Sequence, residues 1–351
     1  MDKIKKLVDE MISIASKEGK TSVFLIGNTK KEEDIDFYTI PIRIYSQIVA
    51  TGAIVFGEKI AKDIAKSIDG IVDYVFVDSE KKITDRNSVS TTPGNIQRAV
   101  SEIITNSVLV SYKANDLTVD AADTFISEYF SDDVANLGGK KTAIIGAGNI
   151  GSKIAVKLVE RGSDVFLYRR KTEKLNKTVE YINDSKPQHT VANAWVSTSV
   201  LDACNSADII IGLTNGVAVI NKKAISIANP NPLIIDIGKG SISKNAVLFA
   251  HSLHIEVYRL SIESALEGML ISTISTHNIY RKRTGRGTYK GMNVVSGSIL
   301  AHENEFVVDN FSNPKIIYGL GNGEGDFQRN LDKKMLNKLK TFEKVINNKN
   351  I

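Results

Sequence analysis

Gly146, Gly148 and Gly151 stand at G-x-G-x-x-G spacing, a pattern whose chemistry is to seat a pyrophosphate. Gly146 permits a tight turn, the missing side chain at Gly148 lets a phosphate approach the backbone, and Gly151 lets the following helix pack closely on the preceding strand. Asn149 and Ile150, between these glycines, open a helix whose N-terminus offers amide donors and the positive end of a dipole. About 20 residues further on, a carboxylate would bind the ribose 2′-hydroxyl of NAD. Arg169, Arg170, Lys171 and Thr172 stand there instead, a cluster suited to a 2′-phosphate through charge-assisted hydrogen bonds. The expected cofactor is therefore NADP. The other reading of these cations is a solvated basic loop with no ligand. Thr214 and Asn215 end one later apolar run and Gly238 to Gly240 end another, where ligands bind in open α/β sheets, and these positions are expected to border the nicotinamide half.

Hydride transfer also needs a proton donor or acceptor beside the reacting heteroatom. Lys113 is the candidate, with Asn115, Asp116 and Asp120 close in sequence to orient its ammonium. It also reads as a surface lysine at a strand end, and Asp120 equally as a helix-face residue. Ser88, Ser90, Thr91 and Thr92 precede a helix, where they suit either an anionic substrate or simple turn and cap roles. Arg281, Lys282, Arg283, Arg286 and Lys290 form a basic segment that could close over an anionic substrate, although such runs are commonly solvated. His277 and His302 lie in a region expected to return toward the cleft, while His251 and His254 read as helix and strand-edge residues. No histidine or carboxylate spacing has metal-site character, so no metal is expected. Cys204, the single cysteine, precedes an apolar run and reads as core. The N-terminal domain thus has no nucleophilic thiol, which argues against covalent thioester reduction.

The elements that must position these residues follow from hydrophobic periodicity. Ile4, Leu7, Val8, Met11 and Ile12 mark one helical face, and Thr21 to Ile26 a strand. Gly52 to Phe56, Glu58 to Ile68 and Tyr74 to Val77 read as a strand, a helix and a strand, a βαβ unit without a glycine fingerprint. Thr92 is placed as an N-cap with Pro93 in the first helical turn, Ser107 to Ser111 as a strand, and Leu117 to Phe130 as a linking helix. Gly138 and Gly139 mark the entry to a second domain. There, Thr142 to Ile145, Asp164 to Tyr168, Ala207 to Leu213 and Leu233 to Ile237 read as parallel strands buried on both faces. The expected fold is α/β: a Rossmann doubly wound parallel sheet at 137–276, preceded by a smaller α/β catalytic domain at 1–136. Residues 277–351 are expected to return to the N-terminal domain, with Leu331, Leu336, Leu339, Phe342 and Val345 giving the last helix its apolar face.

Composition fits this picture. At 351 residues two domains are the default, and the 42% hydrophobic and 24% charged fractions are those of an ordinary globular protein. No apolar run is of membrane-spanning length, and the N-terminus has acidic residues where a signal peptide needs an apolar stretch, so a cytoplasmic location is expected. The net charge of +5 suits a small, anionic substrate. Aromatic residues are not interleaved with a basic stripe, so nucleic acid is not an expected partner, and without an apolar run of spanning length neither is a membrane. A homodimer is left open.

A catalytic α/β domain, a linking helix, a Rossmann domain from about residue 140 and a C-terminal return together resemble the amino-acid-dehydrogenase-like two-domain NAD(P) oxidoreductases. The nearest likeness is to the shikimate dehydrogenase group, carried mainly by residues 111–171: SYKANDLTVDAADTF before the linking helix and YRRKTEKL at the cofactor strand end. Against that group's N-T-D-G signature, Thr118, Val119, Asp120 and Ala121 keep the aspartate alone, and STTPGN has the threonine and proline of its lysine motif without the lysine. The resemblance implies the architecture and the hydride chemistry, and leaves the substrate a small polar hydroxy, keto or imino compound. Two other readings stand beside it: an enzyme like ornithine cyclodeaminase or alanine dehydrogenase, and a non-catalytic dinucleotide sensor or scaffold.

Overall fold

A computed structural model describes residues 1–29, 35–83 and 94–347. The chain divides into two compact units, Met1–Gly268 and Met269–Ile351. Among the described residues no helix is long and apolar enough to cross a membrane.

The first unit opens with α1 (Asp2–Glu18), whose Ile4, Val8, Met11 and Ala15 recur at helical spacing and are buried, and Gly19 ends it in the left-handed conformation. Strands β1 (Thr21–Asn28), β2 (Phe37–Ile44) and β3 (Ile48–Val55), helix α2 (Glu58–Ile68), strand β4 (Tyr74–Asp78), helix α3 (Ile96–Ser101) and strand β5 (Val108–Tyr112) follow. The sheet order is β2-β3-β1-β4-β5. All its pairings are parallel except β2 with β3, so β1, β3, β4 and β5 end at one common edge. Strand β2, absent from the periodicity reading, contains Pro41, which has no N–H to give a ladder. It sits on the sheet's outer edge, with a register shift between Ile40 and Arg43 that accommodates it. Helix α3 starts at Ile96, and its cap is Asn95, whose side chain accepts from the Arg98 N–H at 3.0 Å. This corrects the expected start at Thr92. Thr92 and Pro93, like Ser88, Ser90 and Thr91, lie outside the described residues.

The linking helix α4 (Ala114–Tyr129) leads into an alternating series: β6 (Lys141–Ile145), α5 (Asn149–Glu160), β7 (Asp164–Tyr168), α6 (Thr172–Ser185), β8 (Ala194–Val196), α7 (Val200–Cys204), β9 (Ile209–Gly212), α8 (Lys222–Ser226), β10 (Leu233–Asp236), α9 (Lys244–Ser252) and β11 (Val257–Arg259). The six strands pair in the order β11-β10-β9-β6-β7-β8, all parallel. The order reverses between β6 and β9, the switch point of a doubly wound Rossmann sheet. One face is covered by α4, α5 and α6 and the other by α7, α8 and α9, giving two apolar layers. Each layer buries the near-continuous Ile and Val runs of the central strands. Val119, Ala122 and Ile126 place the buried face of α4 in the Rossmann core, not in the core of the first sheet.

The second unit takes up within α10 (Glu263–Asn278), which passes into a single π-turn (Ile279–Arg283). Strands β12 (Arg286–Tyr289), β13 (Met292–Ser296), β14 (Phe306–Val308) and β15 (Ile317–Leu320) form a four-stranded sheet in chain order, followed by α11 (Lys333–Asn347). The apolar face of α11 finds partners within its own unit. Phe342 and Ile346 are buried with Val294, Phe306, Val308 and Leu320 of this unit's own sheet, the Phe306 and Phe342 rings 4.7 Å apart.

Candidate functional site

The glycine loop between β6 and α5 is held in one shape by its neighbours. Gly146 has φ +110°, and a Cβ there would stand 2.4 Å from the Leu213 carbonyl oxygen, so only glycine fits. Its N–H and that of Ala147 donate to the Tyr168 carbonyl at 3.0 and 3.3 Å, tying the loop to the end of β7. A Cβ on Gly151 would lie 2.8 Å from the Gly146 oxygen, the close helix-on-loop packing the fingerprint requires. Gly148 differs: the nearest atom to a Cβ there is the Gly146 oxygen at 4.0 Å. Space is therefore kept open over the one glycine beside which a phosphate would lie. Asn149 and Ile150 form the first turn of α5, with no acidic residue to repel an anion from its free amides.

The loop forms one wall of an open cavity of about 560 Å³, lined by Gly146, Gly148, Tyr168 to Lys171, Leu213 to Asn215, Val217 and Val219. The lining carries three cations, Arg169, Arg170 and Lys171, and no carboxylate. Arg169 is half-buried, and its Nη1 donates to the Ala147 carbonyl at 3.3 Å, which sets the guanidinium beside the glycine loop. Thr172 begins α6 next to these cations but is not in the lining.

The opposite wall is two interlocked turns at the ends of β9 and β10. The Thr214 N–H donates to Ser241 Oγ at 3.0 Å and the Gly216 N–H to the Gly238 carbonyl at 3.0 Å. Buried Asp236 accepts from the Gly240 and Ser241 amides at 2.6 and 3.2 Å. A Cβ on Gly238 would meet Ser241 Oγ at 2.5 Å and the Thr214 nitrogen at 2.7 Å, so Gly238 acts behind the wall, not in the cavity. Asn215 and Lys239 both have positive φ, +50° and +54°, a conformation that costs non-glycine residues energy and concentrates at functional turns. The residues present thus fit a dinucleotide: open backbone over Gly148, a helix N-terminus, cations at the β7 end and a preformed opposite wall.

The three residues expected to supply acid/base chemistry are not in this lining. Lys113 is the N-cap of α4, 64% exposed, with its Nζ 3.8 Å from Asp116. Asp116 pairs with Lys153, and Asp120 with Lys157 at 3.2 Å. Asp123 binds Lys157 at 3.4 Å and Arg161 at 2.6 Å. These carboxylates stand at i, i+4 and i+7 on α4 and meet cations at i, i+4 and i+8 on α5, so the acids form an interhelical ladder. At Asp123, burial raises the carboxyl pKa, but hydrogen bonds and charge from Arg161 and Lys157 outweigh it and hold the group below the usual range. In the second unit Arg286 of the basic segment is engaged locally, by Glu305 at 3.0 Å, the Leu300 carbonyl at 2.7 Å and His302 at 2.9 Å.

A polar centre absent from the sequence reading lies at the C-terminal edge of the first sheet. Lys82 Nζ contacts Asp78 at 2.8 Å and Glu80 at 2.9 Å, and the Asp78 side chain is wholly buried. The Glu80 amide donates to Asp78 at 3.0 Å and the Asn115 amide to Glu80 at 2.8 Å, which joins the group to the start of α4. The DSEKK run that carries it has no apolar residue to signal burial, and only the strand ending inside the fold at Asp78 reveals it.

Residues 141–240 match the protein family described as NADP oxidoreductase, coenzyme F420-dependent, a span that runs from β6 to the turn after β10. No curated protein matches the chain by sequence. Among solved structures, a dipicolinate synthase from Bacillus halodurans is similar at 11% identity over 73% of this chain and 98% of that one, with TM-score 0.36. L-tryptophan dehydrogenase from Nostoc punctiforme aligns at 11% identity, 70% and 71% coverage and TM-score 0.40. Anabolic ornithine carbamoyltransferase from Campylobacter jejuni aligns at 14% identity, 72% and 89% coverage and TM-score 0.40. Likeness at this level assigns nothing to the site.

Proposed function

We propose that the chain is an NADP-dependent oxidoreductase acting on a small polar, anionic hydroxy, keto or imino compound. The observation that carries the reading is the lining of the Rossmann cleft: an open glycine at 148 on one side and three cations without a carboxylate at the end of β7. When bound, a nicotinamide dinucleotide supplies or accepts a hydride. The α5 N-terminus and the Gly148 backbone would hold its pyrophosphate, Arg169, Arg170 and Lys171 its 2′-phosphate, and the Thr214–Asn215 turn would flank the other half. The resemblance to the shikimate dehydrogenase group enters this reading as architecture alone, because Asp120, the aspartate shared with its signature, is paired with Lys157.

The test is a titration with NADPH and with NADH, read by nicotinamide fluorescence, on the native chain and on Arg169→Ala. The expected result is binding of NADPH that weakens by roughly tenfold to a hundredfold in the variant, the worth of one charged hydrogen-bonding group, with NADH affinity little changed. Binding of neither nucleotide overturns the proposal and favours a scaffold role.

A further inference from the structure

The ladder between α4 and α5 has a topological consequence. Residue numbers rise together along it, Asp116 with Lys153, Asp120 with Lys157 and Asp123 with Arg161, so the two helices run parallel with their N-termini at the same end. Asp116 lies two residues into α4 and Lys153 four residues into α5. At 1.5 Å per residue the two helix starts are therefore within roughly 3 Å of the same height, about one helix spacing of 8–10 Å apart. The α5 start is the glycine loop. The α4 start is Lys113 and Ala114, onto which the Asp78, Glu80 and Lys82 centre is hydrogen-bonded. The C-terminal edges of both sheets thus open on the same side of the molecule.

Lys82 differs from Lys113 in being fixed. Among the described residues, two of its three N–H donors are taken by carboxylates and one is left, and its side chain is 21% exposed. Asp78, with no exposed side-chain surface, is held by Lys82 and the Glu80 amide. Burying such a charge is costly unless it is fully paired, so it is an expensive way to build a strand end.

From this juxtaposition we infer that Lys82 is the proton-transfer group of the reaction, Asp78 and Glu80 being the residues that position it. The inference rests on the proposed oxidoreductase function and names its substrate side: a carbonyl or imine carbon whose heteroatom faces Lys82. In the reducing direction a hydride adds to that carbon, the C=O or C=N π pair moves onto the heteroatom, and the Lys82 ammonium gives it a proton. The lysine regains a proton from water on its exposed side. Oxidation is the reverse.

The test has two readouts. The first is acetylation of the native protein by a succinimidyl ester, quantified lysine by lysine by mass spectrometry with and without saturating NADP. Slowing of Lys82 by at least several-fold, with the α1 lysines unchanged, is expected. The second is NADPH oxidation against a panel of 2-oxo acids and cyclic imines by Lys82→Gln, Lys82→Arg and Lys113→Gln. The expected loss for Lys82→Gln is about 100-fold or more in kcat with little change in NADPH affinity, and Lys82→Arg should not restore it, because a guanidinium keeps the charge but does not give up its proton. NADP that binds without shielding Lys82, or a larger kcat loss in Lys113→Gln than in Lys82→Gln, overturns the assignment. Should Lys82→Gln fail to fold, shielding in the native protein decides it. Absence of NADPH binding removes the oxidoreductase reading itself, and the inference with it.

Discussion

Adding one methyl group at Gly148 and one at Gly151 separates a ligand seat from a packing contact, because the two glycines differ in what a Cβ would touch. At Gly148 the backbone is extended, φ −91° and ψ −157°, and nothing lies closer than 4.0 Å. Alanine is therefore accommodated. Its poorer capping of α5 and its smaller unfolded-state entropy oppose one another, so stability should move by no more than about 1 kcal/mol, or about 4 °C in Tm. The same methyl occupies the space above the backbone where a phosphate would sit, and displaces one or more charge-assisted hydrogen bonds of roughly 1.5–3 kcal/mol each, a tenfold to hundredfold or larger rise in NADPH Kd. At Gly151 the Cβ would stand 2.8 Å from the Gly146 oxygen and 3.3 Å from both Ile144 Cγ2 and Leu213 Cδ1, so loop, strand and helix must move apart. Overpacking of this kind costs about 1–3 kcal/mol. Fluorescence titration with NADPH and thermal unfolding of both variants read the two effects. Gly148→Ala should lose affinity at nearly native Tm, and Gly151→Ala should lose Tm. A Gly148→Ala protein that binds NADPH like the native chain would refute the assignment of this loop as the phosphate seat.

The α4–α5 ladder makes a pH-dependent prediction through Asp123. Its folded pKa is depressed, so the stability it contributes is fully present above the unfolded carboxylate value near 4 and is lost as pH falls through the lower folded value. Acid unfolding followed by circular dichroism should show Asp123→Asn losing stability by roughly 3 kcal/mol at neutral pH, with the gap to the native chain closing toward acid. Cys204 is buried, and burial pushes its thiol up to about 12, against a small opposing effect of Lys141. Iodoacetamide at neutral pH should leave it unmodified in the folded chain and label it in denaturant, as intact mass will report. Arg169→Ala should weaken NADPH binding while leaving NADH binding little changed, as fluorescence titration will report, and Lys82→Gln should lose turnover while keeping cofactor affinity.

The Rossmann half is legible in the sequence because its signals are local. Ile and Val runs buried on both faces announce parallel strands, and the glycines must be where backbone meets backbone, whatever the rest of the chain does. The first sheet is legible only in part, for β2 hides behind Pro41, which breaks periodicity in a strand that only an edge position allows. Asp116 and Asp120 show a second limit. Their spacing from Lys113 suggests shared chemistry, yet the partners that engage them, Lys153 and Lys157, are 37 residues further along on another helix. A single sequence prints charge spacing along one helix but not which neighbour that face meets. The same limit hides Lys82, since burial of Asp78 follows from the depth at which β4 ends.

The ladder that looks structural also has a bearing on chemistry. Two sheets in one unit can be joined with their ligand-binding edges on the same side or on opposite sides, and only the first lets one molecule reach both. A linking helix antiparallel to α5 would carry the start of α4, and with it the edge holding Asp78 and Lys82, to the far end of the Rossmann domain. The pairs observed, Asp116 with Lys153, Asp120 with Lys157 and Asp123 with Arg161, rise together in number and so belong to the parallel arrangement. Each exposed pair is individually worth little, on the order of 0.5 kcal/mol. In the function proposed above, the pairs place the start of α4 level with the glycine loop, and Asp116 and Asp120 would serve by joining the two edges instead of touching substrate.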